Sequence, residues 1–75
     1  MKELRRFVTE NKGTLITADV RTCMDGKISL VLNSCPAGWN ACGNSVSVDV
    51  ISEEEGRKLF WMLRCEFPDA VLLLQ

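Results

Sequence analysis

Residues 18–32 read Ala18-Asp19-Val20-Arg21-Thr22-Cys23-Met24-Asp25-Gly26-Lys27-Ile28-Ser29-Leu30-Val31-Leu32, "ADVRTCMDGKISLVL". On both sides of "CMDGK" the apolar residues recur at every second position, as strands with one buried face require. Ile16, Ala18, Val20 and Thr22 alternate with Thr17, Asp19 and Arg21 before it, and Ile28, Leu30 and Leu32 alternate with Ser29, Val31 and Asn33 after it. The turn decides what the two runs build. A two-residue Asp25-Gly26 turn would set Asp19 and Arg21 on the face of Leu30 and Leu32. A three-residue Met24-Asp25-Gly26 loop, with Gly26 in the left-handed bulge position, instead pairs Thr22 with Ile28, Val20 with Leu30 and Ala18 with Leu32. The bulged turn is the better reading, because it gives one clean apolar face.

That face continues outward. Asn44 to Ile51 alternates again, and pairing Leu32 with Val46, Leu30 with Val48 and Ile28 with Val50 extends the apolar side across a three-stranded meander. Before the meander, Met1 to Lys12 carries Leu4, Phe7, Val8 and Asn11 on one helical stripe, with Gly13 as a stop. After it, Ser52-Glu53-Glu54-Glu55 forms a capping box, in which the Ser hydroxyl accepts from the Glu55 N–H and the Glu55 side chain reaches back. Three acids there also suit the positive end of the helix dipole. A helix over 53–66 follows, with Gly56, Leu59, Phe60, Leu63 and Phe67 toward the core, until Pro68 ends it. "PDAVLLLQ" then reads as a turn and a short fourth strand. The expected fold is a single α+β domain over 1–75: a two-layer sandwich, a three-stranded antiparallel meander with both helices on one face, and a short C-terminal edge strand.

Composition limits the chemistry. With 75 residues and 47% hydrophobic content the chain is long enough for one small core. His and Tyr are both absent, which removes the commonest acid–base group and every Ser-His or Cys-His nucleophile system. Neither a catalytic site nor a cofactor is expected. Nine Lys+Arg against ten Asp+Glu leave a net charge of −1, so nothing argues for direct binding of nucleic acid or an anionic membrane. The longest apolar run, Ala70 to Leu74, is far shorter than the ~20 residues of a membrane-spanning helix, and the chain reads as cytoplasmic.

Four cysteines stand at 23, 35, 42 and 65, without the paired spacing of structural zinc sites, and no metal is expected. Cys35 and Cys42 flank the second hairpin tip, "SCPAGWNACG", and a disulfide between them would close it under oxidising conditions. In a reducing cytosol they are two small thiols. That pair is the basis of an alternative, thiol-dependent function in redox or metal binding. Trp39 follows a Pro-Gly turn in the same tip, and its indole either folds over the core or serves as a contact anchor. Trp61 and Cys65, four apart with Met62 beside them, lie on a face of the second helix other than its core stripe, where either the Val71–Leu74 segment or the first helix packs, or an apolar site is left open for a partner. The candidate partner-binding residues are therefore Trp39, Trp61 and Met62, with Glu53 and Glu54 as an acidic flank. In the tail Val71 and Leu73 face one way and Leu72 and Leu74 the other, so the segment is either simply buried or an edge strand that receives a partner or forms a homodimer, which would cover the pair left outside the core.

The order helix, three strands, helix resembles the double-stranded RNA-binding domain in topology and size. That resemblance would imply nucleic-acid binding through a Lys-rich start of the second helix, where this chain has Glu53-Glu54-Glu55-Gly56-Arg57-Lys58. By size and general architecture the chain also resembles the small inhibitors encoded by phages, anti-CRISPR proteins among them. What this similarity implies is a non-catalytic module that binds a protein partner, such as a host nucleoprotein complex, and occupies one of its surfaces.

Overall fold

The computed structural model describes residues 1–35 and 43–75, with Cys35 described by its backbone alone. In chain order the elements are α1 (Lys2–Glu10), β1 (Leu15–Thr22), β2 (Ile28–Cys35), β3 (Ser45–Val50), α2 (Glu53–Glu66) and β4 (Val71–Leu74). The four strands form one sheet in the order β3-β2-β1-β4, with β1 antiparallel to β2, β2 antiparallel to β3, and β4 parallel to β1.

The β1–β2 register follows from the turn. Thr22 pairs with Ile28, Val20 with Leu30 and Ala18 with Leu32, as the bulged loop requires. Gly26 sits at φ 84°, in the left-handed region open to a residue without Cβ. Its N–H donates to the Cys23 carbonyl at 3.0 Å, and the Asp25 carboxylate accepts from the Lys27 N–H at 3.0 Å. β3 then pairs in the same parity, with Leu32 opposite Val46, Leu30 opposite Val48 and Ile28 opposite Val50.

Both helices cover the resulting apolar face. From α1 come Leu4, Phe7 and Val8, from the central strands Ile16, Ala18, Leu30 and Leu32, from α2 Phe60 and Leu63, and from β4 Leu72, all of them buried. Each such side chain contributes about 1.5–3 kcal/mol of transfer free energy. α1 packs against β3, while α2 lies across β2 and β1. A side chain closes one end of each helix. Asn11 Nδ2 donates to the Phe7 carbonyl at 2.8 Å, so α1 stops at Glu10 and does not run on to Lys12. Ser52 Oγ accepts from the Glu55 N–H at 3.2 Å, which starts α2. Only this half of the expected capping box forms among the described hydrogen bonds. The Glu55 carboxylate does not close the reciprocal bond to Ser52.

The close contact of α2 with the sheet is set by Gly56. A Cβ at that position would stand 2.9 and 3.0 Å from the two γ-methyl carbons of Val20. Gly56→Ala gains up to about 1 kcal/mol of helix propensity but overpacks the interface, at a typical cost of 1–3 kcal/mol. Urea denaturation is expected to show a net loss of about 1 kcal/mol, and pairing the change with Val20→Ala should remove the overpacking term. A stabilised Gly56→Ala single variant would contradict the close packing.

Candidate functional site: the outer face of the second helix

Because Gly56, Phe60 and Leu63 point α2 at the sheet, helical spacing turns Glu54, Lys58, Trp61, Met62 and Cys65 outward. Trp61 is 52% exposed and Met62 47%, unusual for side chains of this size. No other part of the described chain covers them: β4 lies at the edge of the sheet, and α1 reaches this surface through Arg5. Together Arg5, Lys58, Trp61, Met62, Cys65 and Glu66 line an open groove of about 370 Å³.

The groove has an ion-paired rim. Arg5 Nε donates to both carboxylate oxygens of Glu66, at 3.0 and 3.1 Å, which ties α1 to the end of α2. The Arg64 guanidinium carbon lies 5.5 Å from the centroid of the Trp61 ring, in cation–π range. On its other side the indole meets Phe60 edge-on, with ring centroids 5.2 Å apart and planes at 78°. Trp61 is thus held on the core while much of its ring faces solvent. Among the described residues neither Lys58 nor Arg64 has an ion-pair partner, whereas Glu66 is neutralised by Arg5. The floor is apolar and the surplus charge around it is positive.

Of the residues singled out in the sequence, Trp61 and Met62 come together here. Glu53 and Glu54 do not line the groove. Glu53 turns to Arg57, with an N–O distance of 3.7 Å, and Glu54 lies on the groove's own stripe one turn before Lys58. Trp39 and Cys42 lie outside the described residues, as does the side chain of Cys35, and with them the disulfide that oxidising conditions would allow. The spacing of α2 contains enough information to add Lys58 and Glu66 to the site. Arg5 is different, since its place depends on a pairing across 61 positions of sequence.

Elsewhere the surface is less suggestive. A second hollow, of about 400 Å³, opens between α1 and the start of β3, lined by Glu3, Arg6, Phe7 and Glu10 on one side and Asn44 to Val46 on the other. Its charges are already engaged, with Arg6 and Glu10 in an ion pair at 3.5 Å. The Glu3 carboxyl is held below the usual carboxylate range, chiefly by a hydrogen bond from its own backbone and then by the terminal ammonium. On the open side of the sheet, Asp19 is paired with Arg21 at 3.2 Å and Asp49 accepts from Ser29 Oγ at 3.2 Å. Cys23 and Cys65 are free and exposed, one at the β1–β2 turn and one on α2. Among the described residues no group of three or more His, Cys, Asp or Glu side chains is placed to hold a metal ion, and no helix is long and apolar enough to cross a membrane.

No protein family, curated protein or solved structure matches this chain.

If the groove residues are spared by the core, their removal should leave the fold intact. Trp61→Ala and Met62→Ala are each expected to lower stability by about 1 kcal/mol or less in chemical denaturation. Phe60→Ala, one position away but buried, is expected to cost about 3–5 kcal/mol. A loss at Trp61 as large as that at Phe60 would make the indole a structural element.

Proposed function

We propose that this chain is a small non-catalytic protein-binding module whose contact surface is the outer face of α2, and that it acts by sterically occupying part of a larger complex. The observation that carries this reading is the half-exposed Trp61 beside Met62, in a groove rimmed by the Arg5–Glu66 ion pair and without a covering segment among the described residues. Trp is among the residues most enriched at interface hot spots, because one rigid ring covers much area at little entropic cost. The charge of the rim favours one partner chemistry. With Glu66 occupied by Arg5, the groove offers Lys58, which has no ion-pair partner among the described residues, and Arg64 adds a second positive charge over the Trp61 ring. The complementary occupant is a protein segment that presents an aromatic or long aliphatic side chain together with Asp or Glu.

Inhibition by occupation fits the same surface. A domain with a single core and an uncommitted Trp blocks a site by covering it, and this is the role implied by the resemblance to small phage-encoded inhibitors. On this reading the partner is a protein, and a net charge of −1 gives the chain no general attraction for a phosphate backbone.

Panning a displayed peptide library on the folded protein tests the partner chemistry directly. The selected peptides are expected to combine an aromatic or aliphatic anchor with acidic residues. Their binding should fall at least tenfold with Trp61→Ala or Lys58→Glu and remain unchanged with Ser47→Lys, on the opposite side of the molecule. Selected peptides whose binding ignores both α2 variants would remove this face from the proposal.

A further inference from the structure

The sheet has two edges, and they are built differently. β3 closes one edge with Ser45, Ser47 and Asp49 on its outer side, all exposed and polar. β4 closes the other with Val71-Leu72-Leu73-Leu74, a strand without charge, proline or glycine. Edge strands of this kind pair with further strands unless something blunts them, and apart from its four-residue length β4 carries no charge, proline or glycine that would do so. The backbone geometry shows what is left unpaired. The Gln75 N–H donates to the Ala18 carbonyl at 2.8 Å. Backbone groups alternate in direction along a strand, so Val71 and Leu73 turn their N–H and C=O groups toward β1. Those of Leu72 and Leu74 point away from the sheet. No loop or cap hydrogen bond reaches the N–H of Leu72 or Leu74 among the described residues.

The side chains at this edge are also unmatched. Leu72 is buried under the helices, but Val71 is 57% and Leu73 52% exposed on the open side of the sheet. Leu15, opposite Val71 in the β1–β4 register, extends the same apolar row at 37% exposure. Hydrogen-bonding groups along an edge fix the shape of whatever covers it, since they are satisfied by an extended strand. Absence of charge selects a strand that is itself apolar.

We infer that the β4 edge pairs antiparallel with the β4 edge of a second copy of this chain, about a two-fold axis at Leu72, to form one continuous sheet across both molecules. The register follows from the outward groups. Leu72 exchanges both backbone hydrogen bonds with its copy, and the N–H of Leu74 reaches toward Ala70 of the other molecule. On the open face Val71 then sits opposite the copy's Leu73, and Leu73 opposite the copy's Val71, as a close non-hydrogen-bonded pair that covers both exposed side chains. Within Val71–Leu74 no charge meets a like charge, which a two-fold pairing of a charged strand could not avoid. The helices of both copies fall on the same side of the joined sheet, so the α2 grooves remain open. The inference is independent of the partner proposed for α2.

A four-residue strand makes a small interface, and the dimer should be correspondingly weak, with a dissociation constant on the order of 10 μM. Sedimentation velocity across a concentration series is expected to show a monomer–dimer equilibrium in the wild-type chain. Leu73→Lys, a charge on the exposed edge, should weaken the dimer at least tenfold, while Ser47→Lys on the opposite edge should not. Should Leu73→Lys fail to fold by circular dichroism, Leu73→Thr keeps strand propensity and removes the apolar pair. It is expected to weaken dimerisation in the same direction. A wild-type chain that stays monomeric at several hundred micromolar overturns the inference. So does a dimer indifferent to residue 73, or one abolished by Trp61→Ala.

Discussion

One parity condition governs this fold. A sheet that buries a single face must keep every strand in step, because a shift of one residue moves a whole apolar set into solvent. Gly26, at φ 84°, sets that parity in the first hairpin, and the β2–β3 and β1–β4 pairings inherit it. With Ile16, Ala18, Leu30 and Leu32 all on one side, both helices have to lie there. The second consequence is less obvious. The strand that joins last, β4, arrives with apolar residues in both parities, so whichever pair is buried, the other remains outside.

α2 contains the same conflict in helical form. Its inner stripe is committed to the sheet through Gly56 and Phe60, and Gly56 brings the helix so close that Val20 fills the space a side chain would need. Close approach of the inner face fixes the rotation of the helix. Trp61 and Met62, one and two positions after Phe60, are then turned outward. The surfaces proposed for binding are thus the parts of two elements that a one-sided sheet cannot absorb. They differ in kind. The β4 edge offers backbone hydrogen bonds and accepts a strand, whereas the α2 groove offers an aromatic floor with cationic rims and accepts side chains.

Much of this was legible in the sequence. Strand alternation, the bulged turn, the Ser52 cap and Pro68 place the three meander strands and α2, because each is a local signal tied to backbone sterics or to the period of a buried face, while the stripe of α1 shows the helix but not its end at Glu10. The exposure of Trp61 was legible as an alternative, since helical spacing shows that it leaves the core stripe but not whether another segment covers it. Two features were not legible. That β4 runs parallel beside β1 depends on where the chain returns after α2, and Val71 to Leu74 carries no local mark of its neighbour. The ion-paired rim of the groove depends on Arg5 meeting Glu66 across most of the sequence, which no spacing rule reports. For Trp39, Cys35 and Cys42 the sequence reading extends beyond the described residues.

The claim on which the functional account rests is that Trp61 stands open to solvent in the folded chain. Fluorescence of a Trp39→Phe variant, in which Trp61 is the sole indole, measures this directly. The account predicts a long-wavelength emission maximum and efficient acrylamide quenching in the folded protein, both reversed when a bound peptide covers the groove. A short-wavelength maximum with weak quenching in the isolated chain would mean that the indole is already covered, and the groove would no longer be a binding surface.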